Sequence, residues 1–107
     1  MAQSNIIKVT TNVTDELLLV TDENAAGVSV MIGAGDSIGG GTMSLGVLPQ
    51  SENSADSDFS VAYIDATLDA GHNQYYRVGA NMAVYIKLSG ATSPNVSVIA
   101  AEVLGLD

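Results

Sequence analysis

The chain's one histidine, His72, sits in Gly71-His72-Asn73, a run of turn formers. A general base needs a nucleophile and an orienting acid around it, and every Ser-His-Asp arrangement would have to use this single turn residue. A hydrogen-bonded or solvated imidazole is therefore expected, and no catalytic residue is assigned. Carboxylates are the commoner reactive group. Asp56 and Asp58, with Glu52, gather oxygens in one loop. Calcium takes about six to eight such ligands, and the glycine and glutamate of a helix-loop-helix calcium loop are missing. Asp65 and Asp69 form a second acid pair, but paired carboxylates act on a glycosidic bond only across a cleft. The run IGAGDSIGGGT has a phosphate loop's glycine content without its Lys-Ser/Thr. No helix follows it, so backbone N–H groups are not aimed at an anion. The expectation is an enzyme-free site list: no catalytic, metal or cofactor residues, and no cofactor.

The tyrosines carry more information. Tyr75 and Tyr76 are neighbours, so on a strand one ring faces the core and the other faces out. Tyr85 lies opposite Val84 and Ile86 and is expected outward, while Tyr63 follows Phe59 and Val61 at spacing two. An outward tyrosine either packs across strands on the wet side of a sheet or anchors a partner. Tyr75, Tyr76 and Tyr85, with the cations Arg77 and Lys87, are the interface residues expected from sequence. Asn12-Val13-Thr14 and Asn95-Val96-Ser97 match glycosylation sequons. Both are taken as coincidences, because MAQSNIIKVTT has no basic segment followed by an apolar one.

The elements that must position these residues have period two. Alternating apolar and polar residues fill GTMSLGVLP, DFSVAYI, NQYYRVG, MAVYIKLSG and NVSVIAAEV, each followed by turn formers. That pattern predicts half-buried strands. Ile6–Thr11 is expected as the first strand. Ala26–Gly33 is another, with Val28, Val30 and Ile32 inward and Ser29 and Met31 outward. Met43, Leu45 and Val47 make a strand that Pro49 ends, since proline cannot donate to a ladder. Glu16–Thr21 is ambiguous. Thr14 or Asp15 suits a helix N-cap, yet the brevity of the run and its Val20-Thr21 end favour a strand buried on both faces. Tyr75–Val78 reads as a short strand and Gly79-Ala80-Asn81 as a corner. Val96, Val98 and Ala100 close the pattern. Seven or eight strands at this spacing predict an all-β, single-domain antiparallel β-sandwich or jelly roll. Residues 1–5 are expected as an N-terminal arm.

Composition narrows the partners. Twelve acids face three Lys and Arg, giving a net charge of −9, and there is no cysteine. Nucleic acid and anionic membranes are both bound through clustered cations, so neither is an expected partner. No apolar run approaches the ~18 residues that span a bilayer.

Three segments resemble, as a set, small β-sandwich virion proteins of tailed bacteriophages: GGTMSLGVLPQSEN at residues 40–53, ATLDAG at 66–71 and YYRVGANMAVYIKLSGATSPNVSV at 75–98. In those proteins a glycine-led strand runs into a polar loop. A later strand ending in Leu-Ser-Gly-Ala-Thr then precedes a Val-x-Val closing strand. Here those elements are Gly79-Ala80-Asn81 through Thr92 and Val96-Ser97-Val98. The chain departs after Pro49, where SENSADSD stands in place of a Gly-rich, Trp-ended turn, so no subfamily is assigned. The resemblance implies a structural role, as a head decoration (cement) protein or a small tail or fibre subunit. Its implied partner is the major capsid protein or another virion protein. By the same analogy a homo-oligomer such as a trimer is expected, located in the virion after assembly in the host cytoplasm. The competing expectation is a carbohydrate-binding or adhesin-like module, which would need aromatic rings coplanar on one face.

Overall fold

The computed structural model describes residues 3–49 and 61–105. Eight strands form: β1 Ser4–Val9, β2 Val13–Val20, β3 Ala25–Ile32, β4 Thr42–Pro49, β5 Ala62–Leu68, β6 Asn73–Tyr76, β7 Met82–Ser89 and β8 Val96–Leu104. They divide into two four-stranded sheets, ordered β1-β8-β3-β6 and β2-β7-β4-β5, called here sheets A and B. Every pairing is antiparallel. First pairs with last, second with seventh, third with sixth and fourth with fifth. The chain is thus one long hairpin, bent at β4–β5 and rolled up until its two halves face each other. That is the jelly-roll order, the second of the two architectures the periodicity allows.

The period of two determines what lies between the sheets. Val28, Val30 and Ile32 of β3 and Val96, Val98 and Ala100 of β8 point inward from sheet A. Met43 and Leu45 of β4, with Val84, Ile86 and Leu88 of β7, meet them from sheet B. All are essentially fully buried, and burying each large apolar side chain is worth roughly 1.5–3 kcal/mol. Only β4 to β5 stays within one sheet, so the other connections cross the core's edge and hold the two layers together.

Several boundaries differ from the sequence expectation. β2 starts at Val13, so Thr14 and Asp15 lie inside a strand and no helix starts there. Nor is the run buried on both faces: Leu18 and Leu19 are buried, but Leu17 is 46% exposed. The cause is a pair of register shifts against β7, between Val13 and Glu16 and between Leu17 and Leu19. Inserting a residue turns two successive side chains toward the core, and Asp15 takes φ 56° at the first irregularity. The strand expected at Tyr75–Val78 is Asn73–Tyr76, with Val78 still buried just beyond it. Ala66, Thr67 and Leu68 complete β5, ahead of the turn around Asp69-Ala70-Gly71. Of the expected arm, Ser4 and Asn5 open β1, and the Gln3 side chain donates to the Val20 carbonyl at 2.9 Å. Phe59 and the acidic loop residues Glu52, Asp56 and Asp58 lie outside the described residues.

The two open sides of the sandwich are closed by polar side chains. Along β1 and β2, Asn5 Nδ2 donates to the Leu18 carbonyl at 2.7 Å. At one end, Thr21 Oγ1 donates to the Gly79 carbonyl at 2.7 Å and accepts from Met82 N–H at 2.9 Å, pinning the β2–β3 corner to the β6–β7 corner. Asn81 adopts φ 55° in that second corner.

Candidate functional site

Three of the reactive residues weighed from sequence, Asp65, His72 and Tyr76, meet in one place. Asp65 lies on β5, an edge of sheet B, and Tyr76 on β6, the facing edge of sheet A. The Tyr76 hydroxyl donates to Asp65 Oδ2 at 2.5 Å, and His72 Nε2 lies 2.7 Å from the same hydroxyl. Since that hydroxyl gives its proton to Asp65, it accepts from His72, which makes Nε2 the protonated nitrogen. The imidazole also stacks on the Tyr76 ring, with centroids 6.0 Å apart. Thr67 supplies two further donors to Asp65 Oδ1, its hydroxyl at 2.6 Å and its N–H at 2.9 Å. These bonds, Thr67 first and Tyr76 next, hold the Asp65 carboxyl below its usual range. Burial and then the Asp65 carboxylate push the Tyr76 phenol up.

This His72–Tyr76–Asp65 chain joins one sheet to the other and ties the β5–β6 turn to the core. The Tyr76 hydroxyl and both Asp65 carboxylate oxygens have their partners within the protein, as a closing clip requires. Asp69, the other half of the acid pair, instead caps its own turn by accepting from Ala70 N–H at 2.7 Å. Among the described residues there is no group of three acids or histidines able to hold a metal ion, and no cavity.

The residues expected at an interface separate. Tyr76 is only 8% exposed and belongs to the core, which fits the expectation that one ring of the Tyr75-Tyr76 pair turns inward. Tyr75 is the outward one. Its ring crosses Gly27, and its hydroxyl donates to the Ala26 carbonyl at 3.0 Å on the outer face of sheet A. Tyr85 and Lys87 lie on the outer face of sheet B, both half-buried, and Arg77 is exposed after β6. Tyr63 shares that sheet B face. It is seated against Gly46, its hydroxyl donates to Asp15 Oδ1 at 2.6 Å, and Lys87 Nζ stands 5.2 Å from its ring centroid. Asp15 raises the Tyr63 phenol above its ordinary value by accepting its proton in that bond. The tyrosines therefore occupy two opposite faces and the core, and the one nearest a cation is already engaged.

Glu102 carried no signal in the sequence, where it sits in a strand among alternating residues. It points inward from β8 and is buried. Its Oε2 accepts from Asp22 N–H at 3.0 Å and from Gln3 Nε2 at 3.1 Å. Its placement follows from parity, since it continues the inward series Val96, Val98, Ala100.

The outer surfaces remain as the broadest feature. Ile6, Met31, Tyr75 and Val103 project from sheet A, and Leu17, Tyr63 and Ile64 from sheet B, all substantially exposed. Comparisons with protein-family models, with curated proteins and with solved structures find no match for this chain.

Proposed function

We propose that the protein is a structural module that binds an extended protein surface, and specifically a decoration (cement) protein of a bacteriophage head. The observation that supports this is the outward display of large apolar side chains, Ile6, Leu17, Met31, Tyr63, Ile64 and Tyr75, on the two sheets. Exposed apolar surface of this kind suits contact with another macromolecule over a broad, flat area. Two further considerations agree with it. Jelly rolls recur in viral coats, a fold-level analogy. The resemblance of residues 40–98 to small virion proteins points to the same class.

The reactive side chains support a non-catalytic role, because His72, Tyr76 and Asp65 are used on one another. A sugar-binding module is the other reading that jelly rolls invite. The tyrosine arrangement disfavours it: Tyr75 lies on one outer face, while Tyr63 and Tyr85 lie on the other.

Two parallel assays test the proposal. The protein is mixed with tailed-phage heads depleted of small accessory proteins, and it is screened against a glycan array. Saturable binding to heads with no glycan retained supports decoration. Retention of a glycan class with no head binding overturns it.

A further inference from the structure

The two outer faces differ in charge. The four strands of sheet A contain a single acid, Glu102, and it points into the core. Among the described residues no acid projects outward from that sheet, although the chain carries twelve. Sheet B, by contrast, carries Asp15 and Glu16 on its edge strand β2. Within the strands of sheet A the one ionised group that alternation sends outward is Lys8, on edge strand β1, and Arg77 is exposed just beyond β6.

The register gives this acid-free face a relief. Ile6 pairs with Ile99, and Ile99 with Met31, so three long apolar side chains form a ridge across β1, β8 and β3. Ile6 is 64% exposed and Met31 45%. The next row along is Ser4, Ala101 and Ser29, a furrow of small side chains bounded by Tyr75, which pairs with Ser29.

We infer that the outer face of sheet A is a self-association surface, occupied by the same face of a second copy of this chain. The inference stands independently of the virion reading. Two arguments select a second copy. The first is charge: a basic partner would be drawn to the acidic remainder of the surface, whereas two copies at −9 each repel least where both present no acid. The second is shape: a two-fold axis lying in the interface plane, parallel to the ridge and midway between ridge and furrow, lays the ridge of one copy in the furrow of the other, as a self-complementary patch requires. Four strands at ~4.8 Å spacing and about seven residues at ~3.3 Å give roughly 450 Å² in plan per copy. The pair thus buries about 900 Å², just under the ~1,000 Å² expected of a stable interface, which makes it weak and concentration-dependent. The symmetry is two-fold, not the trimer that the virion resemblance implies.

Sedimentation equilibrium of the full chain tests this across concentration, at low and at high salt. The wild type is expected to pass from one copy to two, with a dissociation constant that falls as salt screens the mutual repulsion. Ile6→Glu and Met31→Glu, each at an exposed position, are expected to weaken the pair at least ~10-fold by burying an unpaired carboxylate. Leu17→Glu, on the other outer face, is expected to leave it unchanged. Thermal melts confirm that each variant is folded. A single copy at every concentration, a trimer, a dimer loosened by salt, or a dimer indifferent to both sheet A glutamates would overturn the inference.

Discussion

At the scale of single residues, the Asp65–Tyr76–His72 clip has a pH signature at both ends. The Asp65 carboxyl titrates below its ordinary 3.8 when folded, so the unfolded chain binds its proton first as pH falls. The stability Asp65 contributes is fully present above that value and is lost as pH drops through the folded pKa. Tyr76 titrates above its ordinary 10.0 when folded, so its contribution is fully present below 10.0 and fades as pH rises beyond it. Tyr76→Phe keeps the ring in the core and removes the hydroxyl. We expect it to cost about 1–2 kcal/mol near neutrality, since Asp65 and His72 each lose a partner. Urea denaturation across pH should also show a shallower acid limb and a shallower alkaline limb in this variant. Unchanged limbs would mean that the clip forms equally in the unfolded chain.

A second residue-scale expectation concerns Gly27. A methyl group there would overlap the Tyr75 hydroxyl and the Tyr76 carbonyl oxygen. The hydroxyl can swing aside, but the carbonyl belongs to the β3–β6 ladder. Gly27→Ala is therefore expected to destabilise by about 1–3 kcal/mol, the usual range for overpacking. Pairing it with Tyr75→Ala should recover only part of that loss in the same denaturation assay.

At the scale of elements, the strands were legible wherever alternation was unbroken. β3, β7 and β8 follow their apolar spacing, because each is paired on both sides or packed along its length. β2 was harder to read. Four apolar residues in a row carry no period, and the reason they form a strand is the bulged register against β7, which no local pattern records. Asp15 tolerates its positive φ because its short polar side chain suits the left-handed region and its carboxylate is held by Tyr63. Asp15→Asn should be nearly neutral in thermal melts, whereas Asp15→Val should cost about 1–2 kcal/mol from strain at a β-branched residue. The clip was illegible for a related reason. His72, Tyr76 and Asp65 were each visible as residue types, but their meeting depends on β5 and β6 becoming facing edges of different sheets. Glu102 shares the inward parity of Val96, Val98 and Ala100, but acids are so rarely buried that parity alone does not mark it.

At the scale of the whole molecule, the rolled hairpin leaves two outer faces of different character. Sheet A offers an acid-free apolar face, and sheet B offers Leu17, Tyr63, Tyr85 and Lys87 among acids on its edges. If sheet A is covered by a second copy, sheet B remains open toward a larger assembly, and a pair of chains presents two such faces. Lys87 and Tyr85 then become the expected contacts with that assembly, while Tyr76 is excluded by its burial in the core. A double change, Tyr85→Ser with Lys87→Glu, should reduce binding to a phage head by at least ~10-fold while leaving the monomer–dimer equilibrium unchanged.

The most direct test of the decoration reading is a count of bound copies. Heads depleted of small proteins would be titrated with the purified chain, and the bound protein quantified per particle at saturation. The account predicts a plateau at a fixed multiple of the shell's symmetry-related sites, reached with a single affinity. Absence of a plateau, or binding that scales with added protein without limit, would contradict it.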